Sequence, residues 1–359
     1  MFYRRKEFTR GQPPREIVSF AIRRAVLFLV AMGVSHNLAA QTNGGPYAGK
    51  QIRFVIASGA EGGYDAYSRI LALHLGDHIP GRPSIVVENM PGAGGMVGIN
   101  WAYNAAPKDG TVLFASFNGI PYAKLFGNDL AKFDPRDLVS IGSIGKQQDI
   151  CSTWYTDSVK TIAQARQQEV TVSAEGPGSN SATLPLIANS MLGTKFKIVT
   201  GYSTTGMRLA AQNGEVQGIC GLSWATLKAS SPDWVTNHRL NILFQTGEKA
   251  QSDLPDAPVL IDLVLNAEDK KIVRLLEYPG ELGRPLFMPP GTPKFMSDVI
   301  RKAFDETMAD PAFLQDAKKA MVDVDPIGGE EMHRIIMQAY ETPRPIVERA
   351  GMLAGIPHT

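Results

Sequence analysis

The chain has 359 residues, more than the roughly 250–300 at which one hydrophobic core stops growing, so two domains are expected. Its 36 Lys plus Arg against 35 Asp plus Glu leave a formal net charge of +1, which excludes recruitment of nucleic acid by a bulk basic field. Hydrophobic residues at 44% and charged residues at 20%, without a repeat or low-complexity tract, exclude a disordered or solenoid chain.

The N-terminal segment reads as an export leader. Residues 1–24 carry Arg4, Arg5, Lys6, Arg10, Arg15, Arg23 and Arg24; Ala25 to Val34 is uncharged and apolar, and Leu38-Ala39-Ala40 offers a small-residue cleavage zone. The apolar run is too short to span a bilayer, which needs about 20 residues. Residues 1–40 are therefore set apart as a signal peptide cut near Ala40, and the mature chain is expected in the periplasm.

The next stretch organises the rest. Ile52 to Ala57 suits a buried strand, Gly59, Gly62 and Gly63 form a glycine turn, and Tyr67, Leu71 and Leu75 fall on one face of a helix opened by Tyr64 or Asp65. Glycine admits backbone angles other residues avoid and lets a ligand approach the main chain. A strand feeding a helix in this way points unpaired N–H groups at one spot, which favours an anion. Strand Ser84 to Glu88, the loop 89–95, a helix from Met96 and strand Thr111 to Ser116 follow, a βαβ pattern that predicts a parallel sheet with the 59–65, 89–95 and 116–119 loops along one edge.

The middle of the chain repeats the plan. Strand Glu169 to Ala174 runs into the turn Glu175 to Asn180, and Thr183 is expected to cap a helix whose first turn holds Pro185. Strand Phe196 to Thr200, helix Met207 to Asn213 and strand Val216 to Gly221 complete a second α/β unit. Two such units imply a ligand cleft between domains. Helices after Pro293, after Asp310 and from Glu330 to Tyr340 are expected to close back on the first domain, the earliest of them presenting Phe295, Val299, Ala303 and Phe304 on its apolar side. The expected boundaries are 46–148 plus 286–359 for one domain and 149–285 for the other.

Export bears on Cys151 and Cys220, which form a disulfide or remain two buried free thiols. No histidine stands near either, so a catalytic thiol is not assigned. The six histidines show no HExxH spacing, and His74 and His78, one helical turn apart, are read as structural. No G-x-S-x-G elbow, G-x-x-x-x-G-K-[ST] loop or G-x-G-x-x-G fingerprint occurs. Neither an enzyme, a cofactor nor a metal is assigned.

Several segments in order carry a resemblance: Glu61-Gly62-Gly63-Tyr64-Asp65 with Arg69, Val87 to Gly95, Ala106 to Leu113, Gly176-Pro177-Gly178-Ser179, Leu254 to Pro258 and Met288 to Pro293. Over nearly all of residues 46–340 the chain resembles the substrate receptors of tripartite tricarboxylate transporters, the Bug-type periplasmic binding proteins. The resemblance implies an α/β, two-lobed Venus-flytrap fold (type II-like). It also implies a small organic anion, a carboxylate, held between the lobes by main-chain amides and water. Membrane permease subunits are the implied partners of a monomeric receptor. A sensory adaptor reporting to a membrane kinase is the alternative. The chain departs from the family at Tyr64, at Thr200-Gly201-Tyr202-Ser203 and at Cys220 to Trp224, where ligand shape is read.

On this reading the candidate ligand residues are Ala60, Gly62, Gly63, Tyr64, Asp65, Asn118, Gly119, Gly178, Ser179, Tyr202, Ser203, Ser223 and Trp224. Ser179 is expected to offer a hydroxyl and Gly178 an amide, whereas Asp65 and Trp224 also suit a helix cap and a core position.

Overall fold

The computed structural model of the protein describes residues 44–60, 63–176 and 179–355. The leader lies outside them, as do Gly62 and Gly178 of the two glycine turns. Among the described residues no helix is long and apolar enough to cross a membrane.

Two mixed sheets organise the chain. The first has the order β11-β4-β10-β3-β1-β2, built from β1 (Gln51–Ile56), β2 (Ser84–Asn89), β3 (Val112–Ala115), β4 (Val139–Ser143), β10 (Pro285–Met288) and β11 (Ile327–Gly328). The second has the order β7-β6-β8-β5-β9, from β5 (Asp149–Trp154), β6 (Glu169–Ala174), β7 (Lys195–Thr200), β8 (Gly218–Ser223) and β9 (Leu240–Gln245). β1 pairs in parallel with β2 and β3, as the βαβ pattern predicts. The sheets are nonetheless mixed: β10 runs antiparallel to β3 and β4, and β5 antiparallel to β8 and β9. These antiparallel strands arise where the chain passes between sheets, which a local pattern does not reveal.

The two-residue period of the strands sorts side chains onto both faces of the first sheet. Ile52, Phe54 and Ile56 of β1, with Leu113, Leu286 and Met288, pack against helices α1 (Gly63–His78), α7 (Lys294–Ala309) and α8 (Pro311–Lys319). Val55, Phe114 and Phe287 point the other way, into a core shared with α2 (Met96–Asn104), α6 (Ala267–Leu282), α9 (Gly329–Tyr340) and α10 (Arg344–Leu353). Each such fully buried Phe, Ile or Leu contributes about 1.5–3 kcal/mol. His74 and His78 tie α1 to the 310–319 region, through Asp316 at 3.2 Å and Asp310 at 3.0 Å. In the second sheet, α3 (Asn180–Leu192) covers one face, and α4 (Thr204–Gln212) with α5 (Trp224–Ser230) covers the other.

Several helix limits differ from expectation. α3 starts at Asn180 with Ser179 as its N-cap, so Pro185 stands in its second turn and Thr183 caps nothing. α4 starts at Thr204 because Ser203 caps it. Phe295 is 62% exposed, and α7 instead buries Met296, Ile300, Ala303, Phe304 and Met308. α6 lies within residues 149–285 but packs both ways: Ile272, Leu275 and Leu282 join the core of the first sheet, and Val273 that of the second.

A disulfide joins Cys151 to Cys220, neighbours across β5 and β8 and separated by 69 residues in sequence. Neither half is exposed. The double variant C151A/C220A should lose about 2–4 kcal/mol of stability, because its unfolded chain is no longer closed into a loop. Denaturant midpoints of the wild type with and without reductant check this; equal midpoints would mean that the bond contributes nothing.

Candidate functional site

The carboxyl ends of β1, β2, β3 and β4 share one edge of the first sheet, and those of β6, β7, β8 and β9 share one edge of the second. β4 leads directly through residues 144–148 into β5, whose first residue stands on that second edge. The chain returns after α6 through Gly283 and Arg284 into β10. The two edges therefore adjoin where these segments cross.

The crossing is a backbone contact. Gly283 has a φ of 55°, and a Cβ there would overlap the carbonyl of Gly145. The Gln147 N–H donates to the Gly280 carbonyl at 2.7 Å beside it. Tyr64, in the first turn of α1, docks onto the crossing. Its hydroxyl accepts from the Asn118 N–H (3.1 Å) and donates to the Gly283 carbonyl (3.2 Å), and its ring meets Phe117 edge-on at 4.8 Å. Burial pushes the phenol pKa up, against the opposing charge of Arg284.

Arg284, Gln147 and Asp149 are residues that sequence reasoning missed. The Arg284 guanidinium lies 4.6 Å from the Tyr64 ring centroid and 4.8 Å from that of Tyr67, and Nη1 donates to Gln147 Oε1 at 2.8 Å. Gln147 Nε2 donates to Asp149 Oδ1 at 3.2 Å, and Asn180 Nδ2 to Asp149 Oδ2 at 2.7 Å. A continuous line of contacts thus runs from the first turn of α1 to the first residue of α3. Asp149 is buried, which raises its pKa although Gln147, Asn180 and Arg284 oppose the shift. The sequence signal for Arg284 is a lone charge between Gly283 and a four-residue apolar strand, which any surface turn also shows.

The expected residues fall into three groups. Ala60, Gly63 and Gly119 are exposed, and a Cβ added at Gly63 or Gly119 would meet nothing within 4 Å. Gly59 and Gly63 do not adopt the left-handed angles expected of them, so their openness, not unusual torsion, is what that turn offers. Asp65 is a tie within its own lobe: it accepts from Arg69 Nε (2.9 Å) and Asn89 Nδ2 (2.8 Å), and Asn89 also reaches the Ser58 carbonyl at 3.0 Å. Gly62 and Gly178 lie outside the described residues.

In the second sheet the serines cap helices. Ser179, Ser203 and Ser223 are the N-caps of α3, α4 and α5, accepting from the amides of Ala182 (3.3 Å), Gly206 (3.1 Å) and Thr226 (3.5 Å). Ser179 further donates to the Gly176 carbonyl at 2.7 Å. Tyr202 is half-buried against the core. Trp224 is a core residue whose Nε1 donates to Asp253 at 3.0 Å. Gly221, with φ of 71°, leaves no room for a Cβ beneath Asn180 and Ser181, so the start of α3 lies directly on β8. These loops present main chain, with the positive ends of helices behind it.

A cavity of about 520 Å³ adjoins the crossing, between Gln147 and Gln148, the loop after β9, and Glu277 and Glu281 of α6. Its walls carry more carboxylates than lysines, which sets it apart from an anion site. Glu277 is 5% exposed; it accepts from the Gly247 N–H at 3.3 Å, and burial raises its pKa to about 8. Among the described residues no cluster suits a metal ion.

Known proteins share this fold. Residues 68–352 match the family described as tripartite tricarboxylate transporter family receptor (TctC). A UPF0065 protein of Bordetella bronchiseptica is 24% identical over 272 residues, 73% of this chain and 74% of that protein. A TctC solute binding protein from Polaromonas has a similar fold, with a TM-score of 0.67 at 18% identity over 84% of this chain and 99% of the other. R. palustris Rpa4515, solved with adipate, gives 0.59 at 18% identity over 86% and 98%.

Two outcomes follow from the buried groups. Y64F should lose about 1–3 kcal/mol, because the Asn118 amide and Gly283 carbonyl lose their shared partner; an unchanged denaturation midpoint would refute that bridging role. Glu277 has its folded pKa above its unfolded one, so between about pH 4.5 and 8 the folded state holds a proton that the unfolded state has released. The wild type should therefore lose stability relative to E277Q across that window, on the order of a few kcal/mol, and level off above it. A pH-independent difference would mean that Glu277 is already ionised in the fold.

Proposed function

Because the chain belongs to the tripartite tricarboxylate transporter receptor family, we propose that it is an exported periplasmic receptor that encloses a small carboxylate and delivers it to the membrane subunits of such a transporter. The observation that carries this reading is the line Tyr64–Arg284–Gln147–Asp149–Asn180, which brings post-strand loops of both sheets to one crossing. Bending at residues 144–148 and 283–284 swings one lobe against the other, and a solute touching both edges favours the closed form by its extra contacts. The open main chain at Gly63 and Gly119 and the N-termini of α1, α3 and α4 supply donors for an anion. Adipate in the Rpa4515 structure supports a small carboxylate as the solute class. The domain boundaries proposed for closure are 46–148 plus 286–359 against 149–285, with α6 bridging them. The family favours delivery to a transporter over the sensory alternative, and the reading includes no catalytic step.

The test is a thermal-shift panel of mono-, di- and tricarboxylates on purified protein freed of carried ligand by partial unfolding and refolding. A ligand at 100 times its Kd should stabilise by about 2.7 kcal/mol, a shift of several degrees. A selective hit without product formation is expected. A flat panel on well-folded protein would overturn the carboxylate reading, and turnover of any hit would overturn the receptor reading.

A further inference from the structure

Arg284 holds chemistry that the fold leaves unused. It is half-buried, and its backbone N–H is taken by Ser143 Oγ at 2.9 Å. Nη1 donates to Gln147 Oε1 and, at 3.1 Å, to the Gly283 carbonyl. Nε is buried without a hydrogen-bond partner. Among the described residues no carboxylate comes within 4.0 Å to form an ion pair with it. The carboxylate that feels its charge, Asp149, spends its oxygens on Gln147 and Asn180, and burial favours its neutral form. A buried N–H of a guanidinium left without an acceptor is costly.

The neighbouring strand ends carry more of the same. Asn118 follows β3, which lies beside β10, and its Nδ2 is also buried without a partner. Ser58 follows β1, the next strand along, and its hydroxyl is likewise buried and unpartnered. Arg284 and Asn118 touch the same side chain, Tyr64, one over its ring and the other at its hydroxyl. The guanidinium and the amide nitrogen can only donate, and the hydroxyl can donate. The group that matches them is an oxyanion. Stacking on Tyr64 and Tyr67 holds the guanidinium in one orientation, so little side-chain freedom remains to be lost when it binds.

We propose that Arg284 reads the charge of the solute: it pairs with a carboxylate head, with Asn118 Nδ2 as a neighbouring donor, and selects the anion over its neutral amide. This rests on the receptor reading. It differs from recognition by main-chain amides and water alone, because one side chain then carries most of the discrimination. Tyr64 is the positioning residue, its ring lying over the guanidinium and its hydroxyl tied to Asn118 and Gly283.

The experiment is calorimetric titration of the wild type, R284Q, R284K and N118A with acetate, succinate, malate, adipate, citrate and benzoate, and with the primary amide of each anion that binds. For a carboxylate bound by the wild type, R284Q should lose at least about 30-fold in affinity, the value of a charge-assisted pair. Its affinity for the matching amide should change less than about threefold, a margin of well under 1.4 kcal/mol. R284K should recover part of the loss, and N118A should lose about five- to tenfold, one hydrogen bond's worth. Should R284Q not fold, the Arg284 Nε–H resonance, assigned by its loss in R284K, reports instead: it should move on saturation with the carboxylate. A wild type that binds and an R284Q that binds equally well, or a resonance that stays fixed, would overturn this proposal alone. A wild type that binds none of these anions would overturn the receptor reading with it.

Discussion

The structure depends on a close approach of two backbones at Gly145 and Gly283. No side chain fits between them, because a Cβ on Gly283 would overlap the Gly145 carbonyl. A passage this tight fixes where the chain leaves the first sheet after β4 and where it re-enters at β10, and so brings the carboxyl ends of both sheets to one place. Everything proposed for the cleft is anchored there: Tyr64 bonds to the Gly283 carbonyl, Arg284 follows it, and Gln147 faces Arg284 from the other segment. α6, which leads into this passage, packs Ile272, Leu275 and Leu282 into the first core and Val273 into the second, so it ties the two sheets together beside the crossing.

Charge is handled differently on the two sides of the crossing. Towards Tyr64 the unpartnered buried atoms are Arg284 Nε, Asn118 Nδ2 and Ser58 Oγ, all able to donate. Towards the loop after β9 the buried groups are carboxyls, and Glu277 is held largely protonated at neutral pH by burial. The two sides thus differ in the groups they bury, donors on the first and carboxyls on the second. Gln147 stands between them, accepting from Arg284 and donating to Asp149, so it insulates the arginine from the nearest acid.

The second sheet contributes main chain. Ser179, Ser203 and Ser223 each follow a strand and precede a helix, where a free hydroxyl is expected to reach a ligand. Each instead caps its helix, because the first amides of a helix have no intrahelical acceptor and a serine at that position is the nearest one. Trp224, also expected at the cleft, pairs with Asp253 and fills the core under β8. Local helix energetics thus use each serine oxygen as an acceptor, while a hydroxyl keeps a donor of its own.

The sequence by itself determined three strands of each sheet and the helices that follow them, the glycine turns after β1 and β6, and a family likeness running through most of the chain. These are local properties: a two-residue period writes a strand with two buried faces, and Ile52, Phe54 and Ile56 divide from Val55 as that period requires. Tyr64 and Asn118 were legible because they flank loops whose place at the sheet edge follows from βαβ handedness. Tertiary structure alone decided the rest. β5 enters the second sheet antiparallel, and that register sets Cys151 opposite Cys220 across 69 residues. Arg284 meets the first turns of α1 because a distant crossing lays it over Tyr64 and Tyr67, more than 200 positions earlier in the chain. No local pattern encodes that contact, since its energy comes from stacking and hydrogen bonds that exist only once the two backbones have met.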